Sequence, residues 1–127
     1  MDYSKLSDFE INKRAAICIH PDIKNWNCYD VSGRACFVIN EGTPKRVQYG
    51  FSFTSDPADA WPIITANKIS IYAMSEADKR GGWGAEAFHP NDAYSFNDNP
   101  LRAAMIVFLM MQESANVPAN STGSDLR

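Results

Sequence analysis

At 127 residues, with 45% hydrophobic, 12% aromatic and 21% charged side chains, the chain has the composition of one globular domain, long enough to bury roughly two-thirds of its unfolded surface without a disulfide or metal staple. Twelve basic against fifteen acidic groups leave a net charge of -3, too little acid for a DNA mimic and the wrong sign for an electrostatic nucleic-acid binder. Residues 1–63 carry 7 basic and 8 acidic groups and residues 64–127 carry 5 and 7, so neither half is a charged arm.

The start, Met1-Asp2-Tyr3-Ser4-Lys5, has no apolar stretch behind it, and the expectation is a cytoplasmic protein without a secretory signal. The first element has a full start signal: Ser7 and Glu10 form a capping box, Leu6 and Ile11 a hydrophobic staple. A helix from about Asp8 to Ile19 follows, with Phe9 and Ala16 facing the core and Asn12, Lys13 and Arg14 largely outside. Pro21 ends it.

From Trp26 to Phe53 short apolar runs alternate with turn formers. Trp26 to Val31 and Ala35 to Ile39 flank Ser32-Gly33, and Val47, Tyr49, Phe51 and Phe53 alternate with Gln48, Gly50 and Ser52. The pattern predicts a three-stranded antiparallel meander with those four apolar residues on its covered face.

Asp59 is the expected cap of a short second helix that keeps Pro62 in the first turn, with Asn67 in the left-handed closing position. Two strands are then expected around Ile69 to Met74 and Trp83 to Phe88, joined by the charged turn Glu76 to Gly82. Asn91 to Asn99 reads as a polar loop. Pro100 sits at the favoured first position of a last helix capped by Asp98 or Asn99. That helix, about Pro100 to Glu113, is apolar nearly all round, so it closes a core or meets another chain, a homodimer among the expectations. Its longest apolar run, Ala103 to Met111, is far short of the about 20 residues that cross a bilayer. Residues 114–127 read as a flexible polar tail.

The sum is an α+β domain over residues 1–113, order α-β-β-β-α-β-β-α, with one antiparallel sheet of about five strands packed against three helices.

Three cysteines, Cys18, Cys28 and Cys36, form neither an even set nor a CxxC pair. Buried, reduced thiols are expected rather than a disulfide framework. Together with His20 they supply four zinc-ligand types. Yet Cys18 and His20, two apart on a helix, point to opposite sides. A two-residue turn at Ser32-Gly33 sets Tyr29 against Cys36 and Cys28 against Phe37, so the two thiols take opposite faces of the hairpin, and no metal site is expected.

No phosphate-loop, dinucleotide, zincin or nucleophile-elbow motif appears, and Ser, Asp and Glu show no spacing that pairs a nucleophile with a base. No catalytic residue and no cofactor are assigned. His20 and His89 each precede a proline, at element ends where a structural or exposed imidazole is the ordinary case. Lys79-Arg80-Gly81-Gly82-Trp83-Gly84 reads as a hairpin turn before a phosphate loop. Trp26, Trp61 and Trp83 are core residues by default, and an exposed one is a candidate interface anchor.

Arg102 is the most informative charge. In the first turn of an apolar helix the macrodipole disfavours a cation, so a carboxylate partner is required, Asp59 or Asp98 being the expectation, or a bound anion. The candidate binding residues are Arg102, Trp83, Trp61 and His89.

Three segments resemble the NinX-like proteins of lambdoid phages and enterobacterial prophages: Tyr3-Ser4-Lys5-Leu6-Ser7-Asp8-Phe9-Glu10-Ile11-Asn12-Lys13, Asp59-Ala60-Trp61-Pro62-Ile63-Ile64, and Asn99-Pro100-Leu101-Arg102-Ala103-Ala104-Met105-Ile106-Val107-Phe108-Leu109-Met110-Met111. They span about a quarter of the chain. Trp61 departs from that family's pattern, in which glycine precedes Pro-Ile-Ile. The resemblance implies a phage or prophage origin and the cytoplasm of an enterobacterial host. It carries over no activity, cofactor or catalytic residue.

The leading expectation is a phage accessory protein that binds a host or phage protein without chemistry of its own. The alternative is a small-molecule or nucleotide-handling enzyme with a cleft near Arg102, His89 and the Gly81–Gly84 turn. Nucleic acid and membrane are not expected partners.

Overall fold

The computed structural model describes residues 1–115. Its elements in chain order are α1 (Asp8–Ile19), β1 (Asn27–Val31), β2 (Arg34–Ile39), β3 (Val47–Phe51), α2 (Pro57–Ala66), β4 (Ser70–Ala73), β5 (Trp83–Ala87), β6 (Ala93–Asn97) and α3 (Pro100–Ala115). Short 3₁₀ turns at Tyr3–Lys5 and Pro21–Ile23 flank α1. The expected tail begins inside α3, and from residue 116 onward it lies outside the described residues.

The fold is α+β with three helices, but there are two antiparallel sheets of three strands, β1-β2-β3 and β4-β5-β6, where one sheet was expected. The additional strand, β6, occupies most of the expected polar loop. Ala93, Tyr94, Ser95, Phe96 and Asn97 alternate in side, and Ala93 is buried. Asn, Asp and Ser around two aromatics resemble a loop in composition, and only pairing with β5 settles the matter.

The first hairpin has the expected two-residue turn. Ser32 and Gly33 both take positive φ, the twist such a turn needs, and the register pairs Tyr29 with Cys36 and Cys28 with Phe37. Opposed residues share a face, so Cys28 and Cys36 sit on opposite sides. On the third strand only Phe51 and, beyond its end, Phe53 are substantially covered; Val47 and Tyr49 are exposed. β3 is an edge strand and α1 lies chiefly over the central β2.

α1 and α3 lie between the two sheets. α1 packs on the first sheet and against α3; α3 packs on the second sheet and also meets α2. The apolar circumference of α3 is thereby covered within the chain: Ala103 to Leu109 and Met111 are all buried. A sheet on one side and two helices on the other leave little of it facing water, which is the reason its sequence lacks a polar stripe.

Ser7 caps α1, its hydroxyl accepting from the Glu10 amide at 3.1 Å. The Glu10 carboxylate turns instead toward Arg14, at 3.8 Å. Asn12, expected outside, is fully buried. Its amide donates to the Gly33 carbonyl at 2.9 Å and to the Thr54 hydroxyl at 3.3 Å, and its oxygen accepts from the Thr54 amide at 3.1 Å. Burial is tolerated because the polar atoms find partners, and those partners come from segments remote in sequence.

α2 starts one turn earlier than expected. Asp56, not Asp59, is its cap, accepting from the Ala58 amide at 3.0 Å, with Pro57 first in the helix. Pro62 lies inside the helix, and Asp59 accepts from the Ser52 amide at 2.9 Å. Asp56-Pro57 is as complete a start signal as Asp59 supplies, and it outweighs the one backbone hydrogen bond lost at Pro62. The left-handed residue at the helix end is Lys68, not Asn67; Asn67 donates from its side chain to the Ile63 carbonyl at 2.8 Å.

Candidate functional site

The expected site residues are dispersed. Arg102 lies in the first turn of α3, behind the cap Asn99, whose side-chain oxygen accepts from the amides of Leu101 and Arg102. Its guanidinium donates to the Asp8 carboxylate at 2.7 Å, the Leu6 carbonyl at 2.6 Å and the Ser4 carbonyl at 3.1 Å. The required carboxylate is therefore present, but it is Asp8 of α1 rather than Asp59 or Asp98. Asp59 is held by Ser52, and Asp8 sits at the N-terminus of its own helix, where an anion is favoured.

His89 is near the other end of α3. With Ala66, Asn67, Lys68, Phe88, Pro90 and Met111 it lines a cavity of about 590 Å³, which includes neither Arg102 nor a residue of the Gly81–Gly84 turn. From Arg102 to Met111 is about 13 Å along the helix at 1.5 Å per residue. The structure does not join the three features that the cleft reading requires. Trp61 stands out of α2 at 61% exposure, while its neighbours Ala60, Ile63 and Ile64 are buried. Trp83 begins β5 opposite Ala73 and Asn97, half-exposed, and Trp26 is partly buried against Tyr49. Two of the three tryptophans are thus outside the core.

The residues that do form a continuous chemical surface are on the outer face of the second sheet. The register sets Ser70, Glu86 and Tyr94 in one row and Tyr72, Gly84 and Phe96 in the next. The opposite face carries Ala85, Ala87 and Ala93, all buried, so α3 braces this sheet from behind. Gly84 leaves room for close approach: a side chain there would meet the Tyr72 ring where it now lies, and the ring would have to move. The Tyr72 ring thus lies across the central strand.

On the neighbouring strand Tyr94 and Phe96 have ring centres 5.8 Å apart. The Arg80 guanidinium lies 4.0 Å from the centre of the Phe96 ring, a cation–π arrangement. Asp78 holds that guanidinium, with contacts of 2.6 to 3.1 Å. The pairing keeps the Asp78 carboxyl below its usual range and raises Arg80.

At the other end of the face, Glu86 has its carboxyl pushed up, first by a hydrogen bond with Asp92, then by partial desolvation and the neighbouring charge. The face is aromatic with one neutralised cation and a pair of carboxyls. It repels phosphate more than it attracts it. Sequence reasoning missed this surface because it depends on β6: without that strand Tyr94 and Phe96 are loop residues with no shared side. Period-two alternation from Ala93 to Asn97 was the available signal.

Among the described residues no helix is long and apolar enough to cross a membrane. None of the curated proteins compared with the chain matches it. Among solved structures it is similar to a phage protein from Bacillus cereus ATCC 14579, with a TM-score of 0.55 and 16% identity over 85% of this chain and 89% of that one. At that identity the likeness concerns the fold. The family model described as Bacteriophage P22, NinX matches residues 2–112, which take in every element from the first 3₁₀ turn to most of α3, and the chain belongs to that family.

Proposed function

We propose that this member of the phage family acts as an accessory protein that binds another protein, of the host or of the phage, without chemistry of its own. The observation that carries this reading is the outer face of the second sheet. Tyr94 is 55% exposed and Tyr72 37%, both on a sheet braced from behind by α3. Tyrosine and arginine are enriched at interface hot spots, tyrosine because it presents a large, stiff surface at low entropic cost and arginine because its guanidinium makes several hydrogen bonds and stacks on rings. Glu86, Asp92 and the paired Asp78 favour a protein over a nucleic acid as the occupant. Trp61, on α2, is a second candidate contact.

The test is a quantitative comparison of proteins captured from phage-infected host lysate by the intact chain and by a Tyr72→Ser/Tyr94→Ser variant. The expected result is one or a few proteins retained by the intact chain and lost from the variant, with melting of the two forms similar. Identical retention by both forms would overturn the reading.

A further inference from the structure

A second site lies on the other sheet, independent of that face. A cavity of about 310 Å³ opens between the end of α1 and the edge strand β3, lined by His20, Asp22, Ile23, Tyr49 and Phe51. Its size is at the small end of ligand-binding cavities. Ile23 is buried. The Phe51 ring is fixed by stacking on Phe53 at 5.4 Å, by an edge contact to Phe37 at 5.9 Å, and by His20 at 5.6 Å. Trp26 stacks on the Tyr49 ring at 5.6 Å but is not part of the lining. The rings are therefore held in place before any ligand arrives, and little order remains to be imposed on binding.

The charges decide what fits. Asp22 has no cationic partner among the described residues, and no lysine or arginine is in the lining. Aromatic faces carry the negative lobe of the ring quadrupole and attract cations. An anion meets the carboxylate and no countercharge; a purely apolar molecule leaves Asp22 unused.

We propose that this cavity binds a small organic ammonium ion, its apolar body against Ile23 and Phe51 and its charged head beside Tyr49 and Asp22. The His20 ring, 5.6 Å from that of Phe51, contributes a flat wall.

Amide chemical-shift titration of the full chain tests this with two probes of nearly the same shape, benzylammonium and benzyl alcohol. Benzylammonium is expected to give saturable shifts centred on residues 20–23 and 49–51, with benzyl alcohol about tenfold weaker. Asp22→Asn should bring benzylammonium down to the level of the alcohol. Tyr49→Ser, at an exposed position of an edge strand, should weaken binding while leaving the remaining spectrum in place. The proposal fails if those residues show no saturable shift, if the two probes bind equally, or if Asp22→Asn leaves the preference for the cation unchanged.

Discussion

The Arg102 guanidinium and the Asp8 carboxylate, 94 residues apart in sequence, meet at 2.7 Å, joining the first turn of the last helix to the first turn of the first. The two side chains are unequal. Arg102 is 15% exposed and also serves the carbonyls of Leu6 and Ser4, whereas Asp8 is 50% exposed. A half-exposed carboxylate contributes little through its charge, and a largely buried guanidinium that satisfies two carbonyls contributes more. Arg102→Ala is expected to lower stability by about 1.5–3 kcal/mol, and Asp8→Asn by no more than about 1 kcal/mol. Urea denaturation of both variants checks the order, and equal losses would contradict the assignment.

Asn12 is the most demanding polar residue of the interior. Replacing it by Ala strands the Thr54 amide and hydroxyl in a buried setting and removes the partner of the part-buried Gly33 carbonyl. A loss of about 2–4 kcal/mol is expected, well above that of a surface Asn→Ala change. Equilibrium unfolding measures it, and hydrogen exchange at the Thr54 amide should quicken in parallel.

Gly81 and Gly82 are adjacent and both have positive φ, but their surroundings differ. A side-chain carbon at Gly81 would lie 2.5 Å from the Asn97 carbonyl carbon, while one at Gly82 meets nothing within 4 Å. Gly82→Ala should therefore cost about 1 kcal/mol, the backbone penalty alone. Gly81→Ala should cost clearly more, because the obstacle is backbone of β6 and the strand itself must shift. Thermal melts of the pair decide the point.

Tyr3 donates to the Glu113 carboxylate at 2.5 Å. Burial first, then this hydrogen bond and the carboxylate's charge, push its phenol up to about 12 from the usual 10. The fold holds the phenol proton more tightly than the unfolded chain does. The stabilisation is therefore fully present below pH 10 and lost as pH rises through about 12. Tyr3→Phe should flatten the fall in melting temperature across that window and remove the highest-pH phenol from an absorbance titration. Loss of a phenol that titrates near the ordinary 10, rather than of the one near 12, would refute the pairing.

What could be read before folding is what local chemistry governs. The Ser7 cap and the limits of α1, the two-residue turn with its register, and Pro100 at the start of α3 all depend on contacts within a few residues. The need of Arg102 for a carboxylate was legible in the same way, since the helix dipole acts at short range. Which carboxylate answers it was not, because Asp8 becomes a neighbour only when α1 docks on α3. The start of α2 was ambiguous locally, with two acidic caps and two prolines competing, and Ser52 decided it by taking Asp59.

The outer face of the second sheet belongs wholly to the second category. Tyr72, Tyr94 and Phe96 come from two strands, and Arg80 from a loop. Only sheet register makes them neighbours. The cavity at His20, Tyr49 and Phe51 likewise needs α1 to end beside an edge strand. Sequence by itself determined where α1, α3 and the Ser32-Gly33 turn begin, the family and the absence of an excess of positive charge, because each is a property of short segments or of the whole composition. Tertiary structure alone decided that there are two sheets, that Asn12 lies inside, and which aromatic rings share a surface, because these depend on hydrogen bonding and packing between segments tens of residues apart.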